Sequence, residues 1–156
     1  MSVGRSVLAG VAAGAAGTTV LNAVTYLDMA IRGRGTSSAP EDTVEALVAK
    51  SGHRIPGDED TRKNRVAGLG PLTGIVAGVG VGAVLGLART AGWRPHVLTA
   101  GLVTGLGAMA ATAGPMAMLG VSDPRTWTLQ DWASDFVPHV VYGLTVAAIA
   151  QALDPD

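Results

Sequence analysis

The chain has 156 residues, a formal net charge of −1 and 15% charged residues, whereas typical soluble domains contain about 25%. Its 11 basic and 12 acidic residues nearly balance, so no nucleic-acid partner is expected. The absence of cysteine excludes a disulfide framework, a thiolate metal site and a cysteine nucleophile. Only 4% of the residues are aromatic, and the many glycine, alanine, valine and leucine residues favour close helix packing in lipid.

Four apolar segments predict an all-α fold: an integral membrane bundle of four transmembrane helices in a single domain, residues 1–156. The spans are expected at approximately residues 6–31, 66–88, 95–119 and 134–153, with a polar connection at residues 33–65. As a helix, each segment is long enough to cross a hydrocarbon core of about 30 Å.

The first span places small residues and then a carboxylate on one helical face. Gly10, Gly14, Gly17 and Asp28 fall within an arc of about 60°. Asp28 and Arg32 have the i,i+4 spacing of an interfacial ion pair, which is the favoured interpretation, and a place on an ion path is the alternative. A cleaved secretion signal is the alternative to a first span, but the apolar run continues well past the small residues of its cleavage site.

The polar connection contains a predicted short amphipathic helix. Ser38 and Glu41 have the spacing of a capping box, and Pro40 suits the first helical turn. A narrow apolar stripe follows at Val44, Leu47 and Val48. We expect this helix at the membrane surface or against the bundle. The mixed charge run at residues 58–65 predicts a solvated membrane boundary, and a metal site there is the less favoured alternative.

The second span carries a glycine at every fourth position, a glycine-zipper pattern. This glycine row consists of Gly70, Gly74, Gly78, Gly82 and Gly86. In water each interior glycine would cost a helix about 1 kcal/mol relative to alanine, but in a bilayer small residues let two helix backbones approach closely. The glycine row and the three glycines of the first span (Gly10, Gly14 and Gly17) are therefore predicted helix-packing residues.

Turn and capping signals mark the limits of the last two predicted spans. Residues 89–94 form a predicted polar turn with an interfacial tryptophan. Gly114 and Pro115 predict a kink near the end of the third span. Thr128 and Asp131 have capping-box spacing, so the last helix is expected to begin within the aromatic segment that precedes its apolar run.

The residues best suited to chemistry share one face of the last helix. An arc of about 80° holds Asp131, Asp135, His139 and Tyr142. Ionisable groups at membrane depth are costly and usually face the bundle interior or a water-filled path. The favoured role is structural, with His139 bonded to a backbone carbonyl that Pro138 frees. The alternative is a proton or ion path that also includes Asp28, and a divalent metal site is the least favoured.

Three stretches carry a family resemblance: LTAGLVTGLGAMAATAGPMAMLGVSDP, then TWTLQDWASD, then PHVVYG. Together, over residues 98–142, they resemble the YagU-type family of small bacterial inner-membrane proteins. In that family a proline-containing turn leads through a tryptophan-bearing segment to a short His–aliphatic–aromatic motif. Comparable places are held here by Pro115, Trp132, Asp135, His139 and Tyr142. The resemblance implies a multi-pass protein of the bacterial inner (plasma) membrane and brings no established reaction.

The distribution of basic residues and the resemblance to YagU-type proteins imply opposite orientations of the chain in the membrane. Of the 11 basic residues, eight lie on the side of the long connection (Arg32, Arg34, Lys50, Arg54, Arg62, Lys63, Arg65 and Arg125) and three on the side of the termini (Arg5, Arg89 and Arg94). The positive-inside rule therefore predicts a cytoplasmic connection. The pattern of YagU-like proteins implies the reverse.

The sequence supports two hypotheses about function. The first is a helix-packing or assembly protein in the lipid bilayer, either a homo-oligomer or an accessory subunit of another membrane protein. The second is a small proton- or cation-conducting transporter or channel that uses Asp135 and His139. No nucleophile motif, phosphate loop or dinucleotide fingerprint is present, so neither an enzymatic activity nor a cofactor is expected.

Overall fold

The computed structural model describes residues 2–154, and within this range every regular element is helical. The helices are α1 (Val3–Arg32), α2 (Ala39–Lys50), α3 (Glu59–Thr90), α4 (Val97–Met118) and α5 (Leu129–Leu153), with a single 3₁₀ turn at Pro124–Thr126. The predicted all-helical class is confirmed. By length and composition, α1, α3, α4 and α5 can each cross a membrane.

The long helices extend beyond the apolar runs because polar residues cap them. α3 begins at Glu59 rather than at residue 66, because the Asp58 carboxylate accepts a hydrogen bond from the Thr61 backbone N–H at 2.8 Å. The Thr61 hydrogen bonds hold the pKa of Asp58 below its ordinary value. α5 begins at Leu129 rather than at residue 134, with the predicted Thr128–Asp131 capping box confirmed.

α2 occupies the predicted place in the connection but begins differently. The predicted Ser38–Glu41 capping box is wrong: Ser38 has helical backbone angles, so its hydroxyl donates to Asp42 Oδ2 at 2.8 Å and caps no backbone N–H. The Glu41 side chain lies instead against Gly70 of α3. α2 is therefore attached to the first part of α3.

The core forms where α1, α3 and α5 meet. α1 packs along both α3 and α5, α4 packs mainly along α5, and α3 and α4 share a smaller contact. Ala13 of α1 and Val146, Tyr142 and Ala150 of α5 are the most deeply buried of these core residues, at 0%, 0%, 1% and 1% exposed.

Polar contacts at the two ends fix the alternating direction of the helices. At one end Asp154, which follows α5, contacts Arg89 of α3 and Ser6 of α1. At the other end Arg32 of α1 donates to Ser134 of α5 at 2.7 Å. The start of α1, the α3–α4 turn and the end of α5 therefore lie on the same side, as an even number of spans predicts.

Candidate functional site

Glycine backbones of α1 and α3 lie directly against each other. If Gly82 carried a Cβ atom, that atom would lie 2.6 Å from Gly14 Cα. A Cβ atom on Gly14 would likewise lie 2.8 Å from the backbone oxygen of Gly78. Gly10 meets both Gly82 and Gly86 in the same way. These neighbours are backbone atoms that cannot turn aside, so hydrogen is the only side chain that fits at these positions.

The other members of the glycine row have different surroundings. Gly70 lies against Glu41 of α2, whereas a Cβ at Gly74 would meet nothing within 4 Å. Each step of four residues turns the row by about 40° around the helix axis. The row therefore turns by about 160° between its first and last glycine and cannot face one partner throughout.

A second glycine contact joins α4 to α5, and sequence reasoning did not assign it. A Cβ at Gly143 would lie 2.7 Å from Gly105 Cα, and one at Gly101 would lie 2.9 Å from Leu144 Cα. The GxxxG spacing of Gly101 and Gly105 is the signal that marks this contact in the sequence. Gly105 also lies against the carbonyl of His139, so the α4–α5 contact passes beside the candidate histidine.

Tyr142 lies at the junction of three helices. Its hydroxyl donates to the backbone carbonyl of Gly78 in α3 at 2.6 Å. A Cβ at Gly17 of α1 would lie 2.9 Å from the Tyr142 ring, so the ring fills the space that this glycine leaves. Beside it, the Thr18 hydroxyl donates to Gly14 O at 2.9 Å. The polar groups at this junction thus bond to nearby backbone.

His139 is buried and bonds to Asp135 on its own helix. Its Nδ1 lies 2.7 Å from the Asp135 backbone oxygen and 3.4 Å from carboxylate Oδ1. Because a carbonyl only accepts, Nδ1 carries the hydrogen in this arrangement. The prediction that His139 bonds to the carbonyl freed by Pro138 is wrong. A proline within a helix frees the carbonyl four residues earlier, which is that of Ser134, whereas His139 bonds to the carbonyl of Asp135. Asp135 Oδ2 is buried without a hydrogen-bond partner among residues 2–154.

Asp28 is held in ion pairs at the end of α1. It contacts Arg32 at 3.2 Å, which confirms the predicted pair, and Arg34 at 2.6 Å. Arg32 also reaches Ser134, the neighbour of Asp135 in α5. Of the four residues proposed for a proton or ion path, the structure brings Asp135 and His139 into contact, while Tyr142 bonds to Gly78 and Asp28 to its arginines.

No three histidine, aspartate or glutamate side chains of the described chain converge on a point that could hold a metal ion. Asp131, the third member of the metal alternative, uses its carboxylate to bind the Thr128 backbone N–H at 2.9 Å and the Thr128 hydroxyl at 2.7 Å. Asp131 therefore serves as part of the N-terminal cap of α5.

A buried ion cluster at the opposite end was missed by sequence reasoning. Asp154 is 1% exposed, and its Oδ2 lies 3.3 Å from Arg94 Nη2 and 3.5 Å from Arg89 Nε. Burial raises the pKa of Asp154, but a hydrogen bond from Ser6 and the two arginine charges outweigh it and hold the pKa below its ordinary value. The sequence does contain a signal for this cluster, because four spans place the basic α3–α4 turn and the acidic end of α5 on the same side of the membrane.

Comparison of the chain with protein-family models, with curated proteins and with solved structures gave no match. The class of protein is therefore defined by the fold. Four helices that by length and composition can cross a membrane make this chain a multi-pass helical membrane protein.

Proposed function

We propose that this protein is a helix-packing and assembly protein of a membrane, acting as a self-associating or accessory subunit without enzymatic activity. The observation that carries the proposal is that three polar side chains within the spans bond to the chain itself: Tyr142 to Gly78, Thr18 to Gly14 and His139 to Asp135. An unpaired polar group in hydrocarbon costs several kcal/mol. Packing alone therefore accounts for these side chains.

The exposed stretch of α3 is the surface that we assign to a second copy. Residues 71–76 are all exposed, and Gly74 has open space where a side chain would stand. The remaining glycines of the row lie against α1 or α2. Gly74 is therefore the member of the row that a helix from another chain can approach.

Self-association in lipid bilayers tests this assignment. Counting photobleaching steps of labelled protein gives the association constant of the dimer. This constant should fall about tenfold in Gly74→Ile, which corresponds to a loss of about 1.4 kcal/mol of packing free energy. Gly80→Ile is the matched control, because Gly80 also has open space around it on the same helix. His139→Ala should associate like the wild type. Equal dimer constants in both isoleucine variants, or a wild type that stays monomeric at every density, would contradict self-association.

Conduction of protons or a small cation is the second candidate. It is favoured by one observation, the contact between buried His139 and an Asp135 carboxylate whose Oδ2 has no partner in the described chain. An ordinary histidine titrates near pH 6.5, within about one unit of neutrality. A conducting path through this pair would therefore depend on pH.

We also propose where the protein is located in the cell. The resemblance of residues 98–142 to YagU-type proteins supports the bacterial inner membrane. We further propose that α2 is an amphipathic helix lying at the surface of that membrane, with Val44 on its packed side against the bundle and Lys50 exposed.

A further inference from the structure

A groove between the end of α2 and the first turns of α3 combines apolar walls with arginine side chains. It is a shallow groove, largely open to its surroundings, with a volume of about 580 Å³. Val48, Ile55 and Leu69 line it with apolar surface, and Arg54 and Arg65 line it with positive charge. No carboxylate is among its lining residues, although residues 33–65 contain six acidic side chains.

The groove lies where α3 changes from charged to apolar sequence. Arg65 is the last charged residue before the apolar run, and Leu69, one turn further, is 39% exposed. α3 has 32 residues and so measures about 48 Å, more than the ~30 Å of a hydrocarbon core. Its first turns therefore reach the level of the lipid headgroups.

The two arginines have hydrogen-bonding capacity to spare. Arg54 is exposed and makes no hydrogen bond or ion pair with the described residues. Arg65 donates through Nη1 to the Pro56 carbonyl at 2.5 Å, which fixes its guanidinium at the edge of the groove. By contrast Arg62, which does not line the groove, pairs with Glu45 at 3.3 Å.

We propose that this groove binds the headgroup of an anionic phospholipid. The phosphate lies between Arg54 and Arg65, because a guanidinium matches a phosphate through paired N–H donors. The first methylenes of the lipid run along Val48 and Leu69 toward the hydrocarbon core. A zwitterionic lipid gains less, since its own ammonium group balances the phosphate charge. The inference needs only a membrane location and stands whichever proposed function is correct.

Native mass spectrometry of the full chain in detergent, titrated with phosphatidylglycerol or phosphatidylcholine, tests the proposal. The wild type should prefer phosphatidylglycerol, and Arg54→Gln should weaken that binding by about fivefold, the effect of losing one hydrogen-bonded contact to the phosphate. The matched control is the double variant Lys50→Gln, Lys63→Gln. It removes two exposed charges at positions that do not line the groove, and salt screens exposed charges in solution, so its affinity should stay within about twofold.

A second variant keeps the test decisive if Arg54→Gln folds poorly. Asn64→Asp adds a carboxylate to the lining without removing an arginine, and it should weaken phosphatidylglycerol binding to a similar extent. Equal affinity for the two lipids, or equal losses in Arg54→Gln and the lysine control, would overturn the proposal. Displacement of phosphatidylglycerol by millimolar inorganic phosphate would assign the groove to free phosphate and overturn it as well.

Discussion

Tyr142 joins α5 to the backbone of α3 through its hydroxyl and to α1 through its ring. The Gly78 carbonyl that accepts the hydroxyl lies within a helix, and a carbonyl has a second lone pair to receive such a donor. The ring meanwhile covers Gly17. Replacing Tyr142 by phenylalanine would separate these two roles, because the ring would remain and the hydrogen bond would be lost.

Tyr142→Phe should lower the free energy of unfolding by about 1 kcal/mol, the usual net value of a buried hydrogen bond. Titration with a denaturing detergent, followed by circular dichroism, measures this loss. Tyr26→Phe is the matched control, because Tyr26 is 60% exposed and makes no hydrogen bond with the described residues. The assigned role of the hydroxyl would be wrong if the two variants unfolded alike.

The residue contacts that sequence could predict are local ones. The Thr128–Asp131 capping box and the Asp28–Arg32 pair follow from spacing along one helix. The acceptor of Tyr142 lies on α3, and the partners of Asp154 lie on α1, on α3 and in the α3–α4 turn. Helical periodicity indicates which residues share a face but not which helix lies opposite that face.

At the scale of elements, the contact between α1 and α3 depends on a few glycines of the row. Gly82 lies against the backbone of Gly10 and Gly14, so even a methyl group would force the helices apart. Gly80, only two residues away, has open space around it. The two positions share a helix and a residue type and differ in what they face.

Gly82→Ala should therefore lower the free energy of unfolding by about 1–3 kcal/mol, the usual cost of overpacking. Gly80→Ala should leave it unchanged or raise it by up to about 1 kcal/mol through better helix propensity. The same detergent titration measures both variants. Equal effects of the two substitutions would show that backbone contact at Gly82 does not hold α1 against α3.

Sequence predicted the existence and order of the helices better than their ends and contacts. Apolar runs locate the spans, whereas Asp58 and Thr128 extend α3 and α5 beyond those runs by capping them. Ser38 bonds to Asp42 and does not cap a backbone N–H because of the backbone angles at the start of α2, which composition does not specify. The glycine row also turns gradually around α3, so its members meet α2, open space and α1 in succession.

At the scale of the whole molecule, charged clusters stand at both ends of a packed interior. Asp28 with Arg32 and Arg34 lies at one end, and Asp154 with Arg89 lies at the other. Between them, the junction of α1, α3 and α5 is filled by buried side chains such as Tyr142 and Val146. This arrangement favours packing over conduction.

Proton flux through liposomes that contain the purified chain distinguishes a packing role from conduction. A pH-sensitive dye inside the liposomes would follow the response to an imposed potential between about pH 5.5 and 7.5, the range in which an ordinary histidine titrates. If the buried polar groups serve packing, the wild type and His139→Ala should both match protein-free liposomes at every pH. A pH-dependent flux in the wild type that His139→Ala abolishes would contradict the packing role and establish conduction that depends on His139.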